Sequence, residues 1–187
     1  MPKRIVVGIS GASGTPLAVR TLQELRMLPE VEVHLVATES ARVTADYESS
    51  MRFSEIAGLS DVYYEGNPVD AAIASGTFET AGMLVVPCSM KSVAGIAGGF
   101  ADNLLLRAAD VAIKEKRPLV LAARETPLSP IHLGNLQKLA ALPSVWIMPP
   151  MLTYYMNPKS VEEMEHHLVA KMLRPLGIQI PAYHWGE

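Results

Sequence analysis

The sequence predicts a doubly wound α/β fold of three layers, a parallel sheet with helices on both faces. Three observations lead there. Five short apolar runs, RIVVGIS (4–10), VEVHLVA (31–37), GMLVVPC (82–88), PLVLAAR (118–124) and SVWIMP (144–149), mostly fail to alternate with polar residues, as expected of strands buried on both faces. Helical patterns fall between and after them, over about 14–27, 39–48, 103–116, 130–141 and 159–173, and strands alternating with helices imply parallel βαβ units. A glycine-rich stretch, GISGASG (8–14), joins the first run to the first helix, where sheets of this kind hold ligands beyond the carboxyl ends of their strands.

At 187 residues and 20.2 kDa the chain suits one domain, 1–187, with a tail that runs extended from about residue 174 because RPLGIQIPAYHWGE has prolines at 175 and 181. Apolar residues at 49% against 19% charged argue against disorder. A net charge of -3 gives no general basic field for nucleic acid, so any anion site must be local. One cysteine, Cys88, rules out an internal disulfide, and no Cys/His spacing matches a structural zinc site; no metal is expected, and a reducing cytoplasm is the natural compartment. The apolar part of MPKRIVVGIS breaks at Gly8, too soon for a signal-peptide core or a membrane span.

Glycines 8, 11 and 14 let the chain turn tightly, and Ser13 with the N–H groups of the helix start faces whatever binds there. An oxyanion or the polar edge of a ring suits such a place; close packing alone is the alternative. The spacing is not the dinucleotide fingerprint G-x-G-x-x-G, since residue 10 is serine, and no P-loop Gly-Lys-Ser/Thr follows. PCSMKS (87–92) ends another strand, so the hydroxyls of Ser89 and Ser92 can bind a phosphate or the polar edge of a flavin, or else form a plain turn.

Arg107 and Lys114 stand seven apart, near one helix face, where they can converge on a doubly charged phosphate; equally, Arg107 can pair with Asp110 and Lys114 can cap the helix end. Arg124 and Glu125 close a buried-type strand, where opposite charges point to chemistry. Glu48 ends the helix of the second strand and can reach the same cleft, and paired carboxylates in an enclosed site split into acid and base; a solvated helix-end glutamate is the alternative. His166 and His167 are adjacent, so they diverge on a helix and form no i, i+4 metal pair, and His34 falls in a strand. Tyr154, Tyr155 and Trp185 can stack on a ligand or fill a contact between copies. Ten methionines and much apolar surface favour a homo-oligomer.

Taken in order over nearly the whole chain, GISGASG, PCSMKS, DNLLLRAADVAIKEKRPLVLAARETPLSPIHLGNL and YYMNPKSVEE resemble the flavin prenyltransferases, the UbiX-like flavoproteins, in the branch that accompanies hydroxyarylic acid decarboxylases as a further subunit. The resemblance implies a flavodoxin-like, Rossmann-like fold that binds FMN and moves a dimethylallyl group from dimethylallyl phosphate to N5 and C6 of the reduced flavin. The prenylated FMN would serve a partner UbiD-like aromatic acid decarboxylase. The resemblance implies FMN contacts from Gly11, Ala12, Ser13, Thr38, Ser89, Met90, Lys91, Ser92 and Arg124. It implies a dimethylallyl phosphate site of Arg107, Lys114, Tyr155 and Lys171, and catalytic work by Glu48, Glu125 and Ser13. Trimers assembled into a dodecamer are implied as well, and Trp185 matches a tail tryptophan of the family. The family usually carries arginine where this chain has Lys171; lysine keeps the charge and loses the bidentate fork. Two other readings use the same flavin site. An FMN-dependent decarboxylase would carry a PASANT-like segment and a catalytic histidine where this chain has PCSMKS and none; a non-catalytic FMN carrier would need one phosphate site, not a cluster of cations.

Overall fold

Parallel pairing organises the chain. The computed structural model describes residues 2–66, 68, 70–184 and 186. Its strands are β1 (Lys3–Ile9), β2 (Val31–Ala37), β3 (Val62–Tyr64), β4 (Gly82–Cys88), β5 (Leu119–Ala123) and β6 (Val145–Ile147). They form one sheet in the order β3-β2-β1-β4-β5-β6, every pair parallel. Each residue of β4 and β5 is buried, which is why those segments read as unbroken apolar runs. The expected strands all form: β2 and β4 match their expected ranges, β1 starts and ends one residue earlier, and β5 and β6 are shorter by one or two residues at their ends.

Helices α1 (Thr15–Arg26), α2 (Glu39–Glu48), α3 (Phe53–Ala57) and α7 (Val161–Leu173) cover one face, burying Leu22, Leu25, Ile56, Val169 and Leu173. Helices α4 (Met90–Gly98), α5 (Leu104–Lys114) and α6 (Pro130–Ala140) cover the other around Met83, Leu105, Leu119 and Leu121. This is the expected three-layer flavodoxin-like, Rossmann-like arrangement.

Three elements lie outside the sequence expectation. β3 is a three-residue strand and α3 a five-residue helix, both too short to show a period. α4 covers MKSVAGIAG, with Gly95 and Gly98, where no helix is expected. Packing overrides that weak propensity: a Cβ at position 95 would lie 2.8 Å from Leu106 Cδ1, so glycine there lets α4 and α5 approach closely. The tail differs in detail too. A single 3₁₀ turn (Arg174–Leu176) follows α7, and the extended segment beyond it is anchored by buried Ile178 and Ile180.

The chain winds outward to β2 on one side of β1 and to β5 on the other side of β4, so the carboxyl ends of β1 and β4 flank a crevice. Buried Ser10 fastens it: its hydroxyl donates to Pro87 O at 2.9 Å and accepts the Ser89 N–H at 2.7 Å. Among the described residues no helix is long and apolar enough to cross a membrane.

Candidate functional site

The opening glycine loop holds a side chain of its own protein. Gly14 is the N-cap of α1 with φ 129°, a conformation suited to glycine, and it turns its own N–H and that of Thr15 toward Glu48. Both donate to Glu48 Oε2, at 2.8 Å and 2.9 Å. The expectation that these N–H groups face a ligand is therefore corrected: the carboxylate from the end of α2 occupies the positive end of α1. Burial works against its charge, but hydrogen bonds from the Ser13 hydroxyl, from the Gly14 and Thr15 N–H groups and from the Thr15 hydroxyl outweigh it and lower the pKa. Glu48 is thus an ionised group held in place, with Ser13 beside it.

A cleft of about 410 Å³ opens on the α4–α5 side of the crevice. Thr38, Ser89 and Asn103 line it, and these are the N-cap residues of α2, α4 and α5. Each side chain accepts a backbone N–H of the turn it caps, from Ala41, Ser92 and Leu106 respectively. Three helix N-termini with their positive dipole ends converge on one space, and Lys91 and Arg42 add full charges at its wall. The arrangement suits an anion held by backbone, with hydroxyls of Ser40, Ser89 and Ser92 at hand and the Glu39 carboxylate also on the wall. Gly11 packs tightly behind Ser40 on the cleft wall: a Cβ there would fall 2.4 Å from Ser40 Oγ and 2.5 Å from Ser40 Cβ. Ala12 is pinned by its N–H to Ser10 O at 2.9 Å. Met90 differs from Ser89, Lys91 and Ser92: it does not line the cleft, and its side chain is buried in the core.

A second cavity, about 470 Å³, lies across the crevice and is mostly apolar. Ser13, Glu48 and Arg124 line it with Leu152, Met164 and Leu168. Arg124 is held by its N–H to Cys88 O at 3.1 Å. Glu125 is exposed, accepts the N–H of Thr126 at 3.0 Å, and does not line this cavity, so the expected cleft pair of Arg124 and Glu125 points in two directions. Glu165, which sequence reasoning passes over, does line it; burial and then Glu162 raise its pKa, with Arg20 opposing. Cys88 ends β4 fully buried, its thiol pushed up to about 12 by burial, and is no nucleophile.

The phosphate residues implied by the resemblance lie apart from these two spaces in a single chain. Arg107 donates to Ala74 O at 3.1 Å and to Asp110 at 2.6 Å, the pairing that its spacing left open. Lys114 pairs with Glu115 at the far end of α5. Ten residues separate Leu104, on the first cleft, from Lys114, about 15 Å along the helix. Tyr155 and Lys171 do meet, on a third depression of about 220 Å³ with His167, Arg174, Tyr183 and His184. Around α7 that face (167, 170, 171) stands about 120° from the face lining the second cavity (161, 164, 165, 168). Trp185 lies outside the described residues. No group of His, Cys, Asp and Glu among the described residues could hold a metal ion.

FMN fits what is built here. Three capped helix ends and a ring of hydroxyls match a phosphate with a polar chain, and the apolar second cavity matches an uncharged ligand part.

Comparison with known proteins agrees. The Flavoprotein family matches residues 1–173. The flavin prenyltransferase LpdB of Lactiplantibacillus plantarum is 52% identical over 171 residues, covering 91% of each chain. A probable UbiX-like flavin prenyltransferase of Streptomyces sp. (strain D7) is 48% identical over 179 residues, 96% of this chain and 89% of that one. Among solved structures, a dodecameric FMN-dependent UbiX-like decarboxylase from Escherichia coli O157:H7 superposes with TM-score 0.95 at 44% identity, covering 98% of this chain and 100% of that one. AnUbiX (PadA1) in complex with FMN and dimethylallyl pyrophosphate superposes with TM-score 0.93 at 40% identity, covering 99% and 100%. Sequence order, fold and site geometry thus converge, and the chain belongs to the Flavoprotein family, among the UbiX-like flavin prenyltransferases.

Proposed function

We propose that this chain transfers a dimethylallyl group from dimethylallyl phosphate to reduced FMN and releases prenylated FMN to a UbiD-like decarboxylase. The observation that carries the reading is the pair of spaces at the carboxyl end of the sheet: a cleft lined by three helix N-termini, and an apolar cavity in which the fixed carboxylate of Glu48 stands beside Ser13. Residues 1–187 then act as one FMN-binding domain, working in the reducing cytoplasm.

Thr38, Ser89, Met90, Lys91 and Ser92 would hold FMN through hydroxyls and backbone, Gly11 and Ala12 would pass beneath it, and Ser13 and Arg124 would meet its reacting end. Reduced FMN, when bound, supplies the electron-rich N5 and C6 that take up the allylic group as its C–O bond breaks, the bond pair leaving with phosphate. Charge develops on the departing phosphate, and preorganised groups stabilise it: the Lys171 cation and the Tyr155 hydroxyl from their shared depression, and the Arg107 and Lys114 cations from α5. The apolar second cavity keeps water from the allylic carbon, which carries positive character as the bond breaks. Ring closure at C6 returns a proton, and Glu48, ionised and beside Ser13, is placed to accept it, with Glu125 as the second carboxylate.

Because these cations do not line the Ser13 cavity of their own chain, we read the working site as composite, each copy lending its phosphate-binding side chains to another. The dodecameric neighbour supports this, as do exposed apolar side chains: Ile131, Met151 and Tyr155 are 75%, 71% and 67% accessible. Anaerobic incubation with reduced FMN and dimethylallyl phosphate tests the function through phosphate release. Release that requires flavin is expected; none, with FMN retained, would leave the carrier or decarboxylase readings in its place.

A further inference from the structure

Arg107 and Lys114 rest on one short loop. The 3₁₀ turn Ala72–Ala74 and the residues after it, 75–80, lead into β4 and pack against the α5 face that carries both cations. Arg107 is fixed there at two atoms: Nε donates to Ala74 O at 3.1 Å and Nη1 to Asp110 at 2.6 Å, which sets the guanidinium plane. Its Nη2 has no hydrogen bond among the described residues, so one edge is left to meet an anion. Two turns on, the paired heads of Lys114 and Glu115 lie against Gly76, where a Cβ would stand 2.6 Å from Lys114 Nζ. The backbone at 76 is outside the left-handed region that favours glycine, so what this glycine provides is room for the lysine head.

Arg117 holds the loop in this shape. Its N–H donates to Ala112 O at 2.8 Å, which ties it to the end of α5, and its guanidinium reaches back to the loop: Nη1 donates to Phe78 O at 2.8 Å and Nη2 to Gly76 O at 2.6 Å. The Thr80 hydroxyl, 3.4 Å from Nη1, extends the contact. Arg117 forms no ion pair among the described residues and lines neither the anion cleft nor the Ser13 cavity. A planar fork that grips two carbonyls two residues apart is a clamp that the point charge of lysine does not reproduce.

We infer that Arg117 is a positioning residue for prenyl transfer: by clamping residues 76–78 it presents Ala74 O to Arg107 and the bare Gly76 to Lys114, so both cations are oriented before the donor arrives. The inference rests on the prenyl-transfer reading, in which these two cations meet the phosphate. Cations held in place stabilise charge as it develops without first having to be gathered, and Arg117 supplies that order while touching no reactant.

Gly76→Ala tests the claim with the least damage to the fold. It should unfold at or above the wild-type urea midpoint, since the new Cβ meets only the flexible ends of Lys114 and Glu115. It should still raise KM for dimethylallyl phosphate about 10-fold, because the lysine head must move. Arg117→Lys, which keeps the charge, should raise KM as much as Arg117→Ala, and FMN affinity, read by quenching of flavin fluorescence, should stay at the wild-type level in all three. Inorganic phosphate, titrated calorimetrically against the intact FMN-loaded protein, should bind Gly76→Ala more weakly than wild type, with no further loss when Gly76→Ala is added to Lys114→Ala. An unchanged KM in Gly76→Ala, full rescue by Arg117→Lys, or an equal added loss in the Lys114→Ala background overturns the positioning role, while wild-type turnover leaves the transferase reading intact. Should wild type transfer no prenyl group, the transferase reading fails and the calorimetry still decides. Loss in Gly76→Ala that vanishes without Lys114 upholds the positioning of an anion site, and equal phosphate affinity in all the proteins, or none in wild type, overturns it.

Discussion

Glu48 holds the start of α1 and lines the apolar cavity, and its environment makes its behaviour predictable. Its pKa is lowered from the ordinary 4.5 in the folded protein, so it contributes stability that is full above that value and lost as pH falls through the folded value. Glu48→Gln keeps an acceptor for the Gly14 and Thr15 N–H groups and loses the charge at the end of α1. It should cost about 1–2 kcal/mol at pH 7 in urea denaturation, and the gap to wild type should narrow below the ordinary carboxylate range and close once pH has fallen through the lowered folded pKa, where both side chains are neutral. Gly11→Ala should weaken FMN binding about 10-fold or more while the protein stays folded, since the new Cβ must displace Ser40, 2.5 Å away at its own Cβ, on the cleft wall; quenching of flavin fluorescence on titration reads it. At this scale the sequence shows residue types better than partners. Ser89, Ser92 and Arg124 are legible at strand ends, whereas Ser10, Ser40, Asn103 and Glu165 gain their meaning from segments tens of residues away.

Among the elements, the helix starts matter most. Thr38, Ser89 and Asn103 do double duty, satisfying the first turns of α2, α4 and α5 and facing the anion cleft. Asn103→Ala should therefore destabilise the protein by about 1 kcal/mol in chemical denaturation and weaken FMN binding as well, whereas a cap away from the cleft, Ser129→Ala on α6, should cost similar stability and leave FMN affinity alone. Long periodic segments are legible because burial sets their pattern: α2 spans the expected 39–48, and α5 and α7 fall inside their expected ranges. α4 is not, since Gly95 serves contact with Leu106, a reason that lies in another helix.

The whole molecule separates what the function needs to join. Ser13, Glu48 and Arg124 line one cavity, Tyr155 and Lys171 another depression, and Lys114 the far end of α5. No reading of one chain's sequence reveals that separation, because it follows from the direction of α5 and the faces of α7. If copies complete one another, Glu48→Gln and Lys114→Ala assemblies should each be nearly inactive, and dissociating and mixing them should restore a fraction of wild-type rate, which neither shows alone; no recovery on mixing would place both groups in the same chain's site. Prenyl transfer to flavin itself is decided by the mass of the flavin extracted after anaerobic incubation of the protein with reduced FMN and dimethylallyl phosphate. A flavin heavier by one five-carbon prenyl unit is expected, formed over many turnovers or retained one per site, and absent without protein. Unmodified FMN recovered in full from protein that binds it would contradict prenyl transfer.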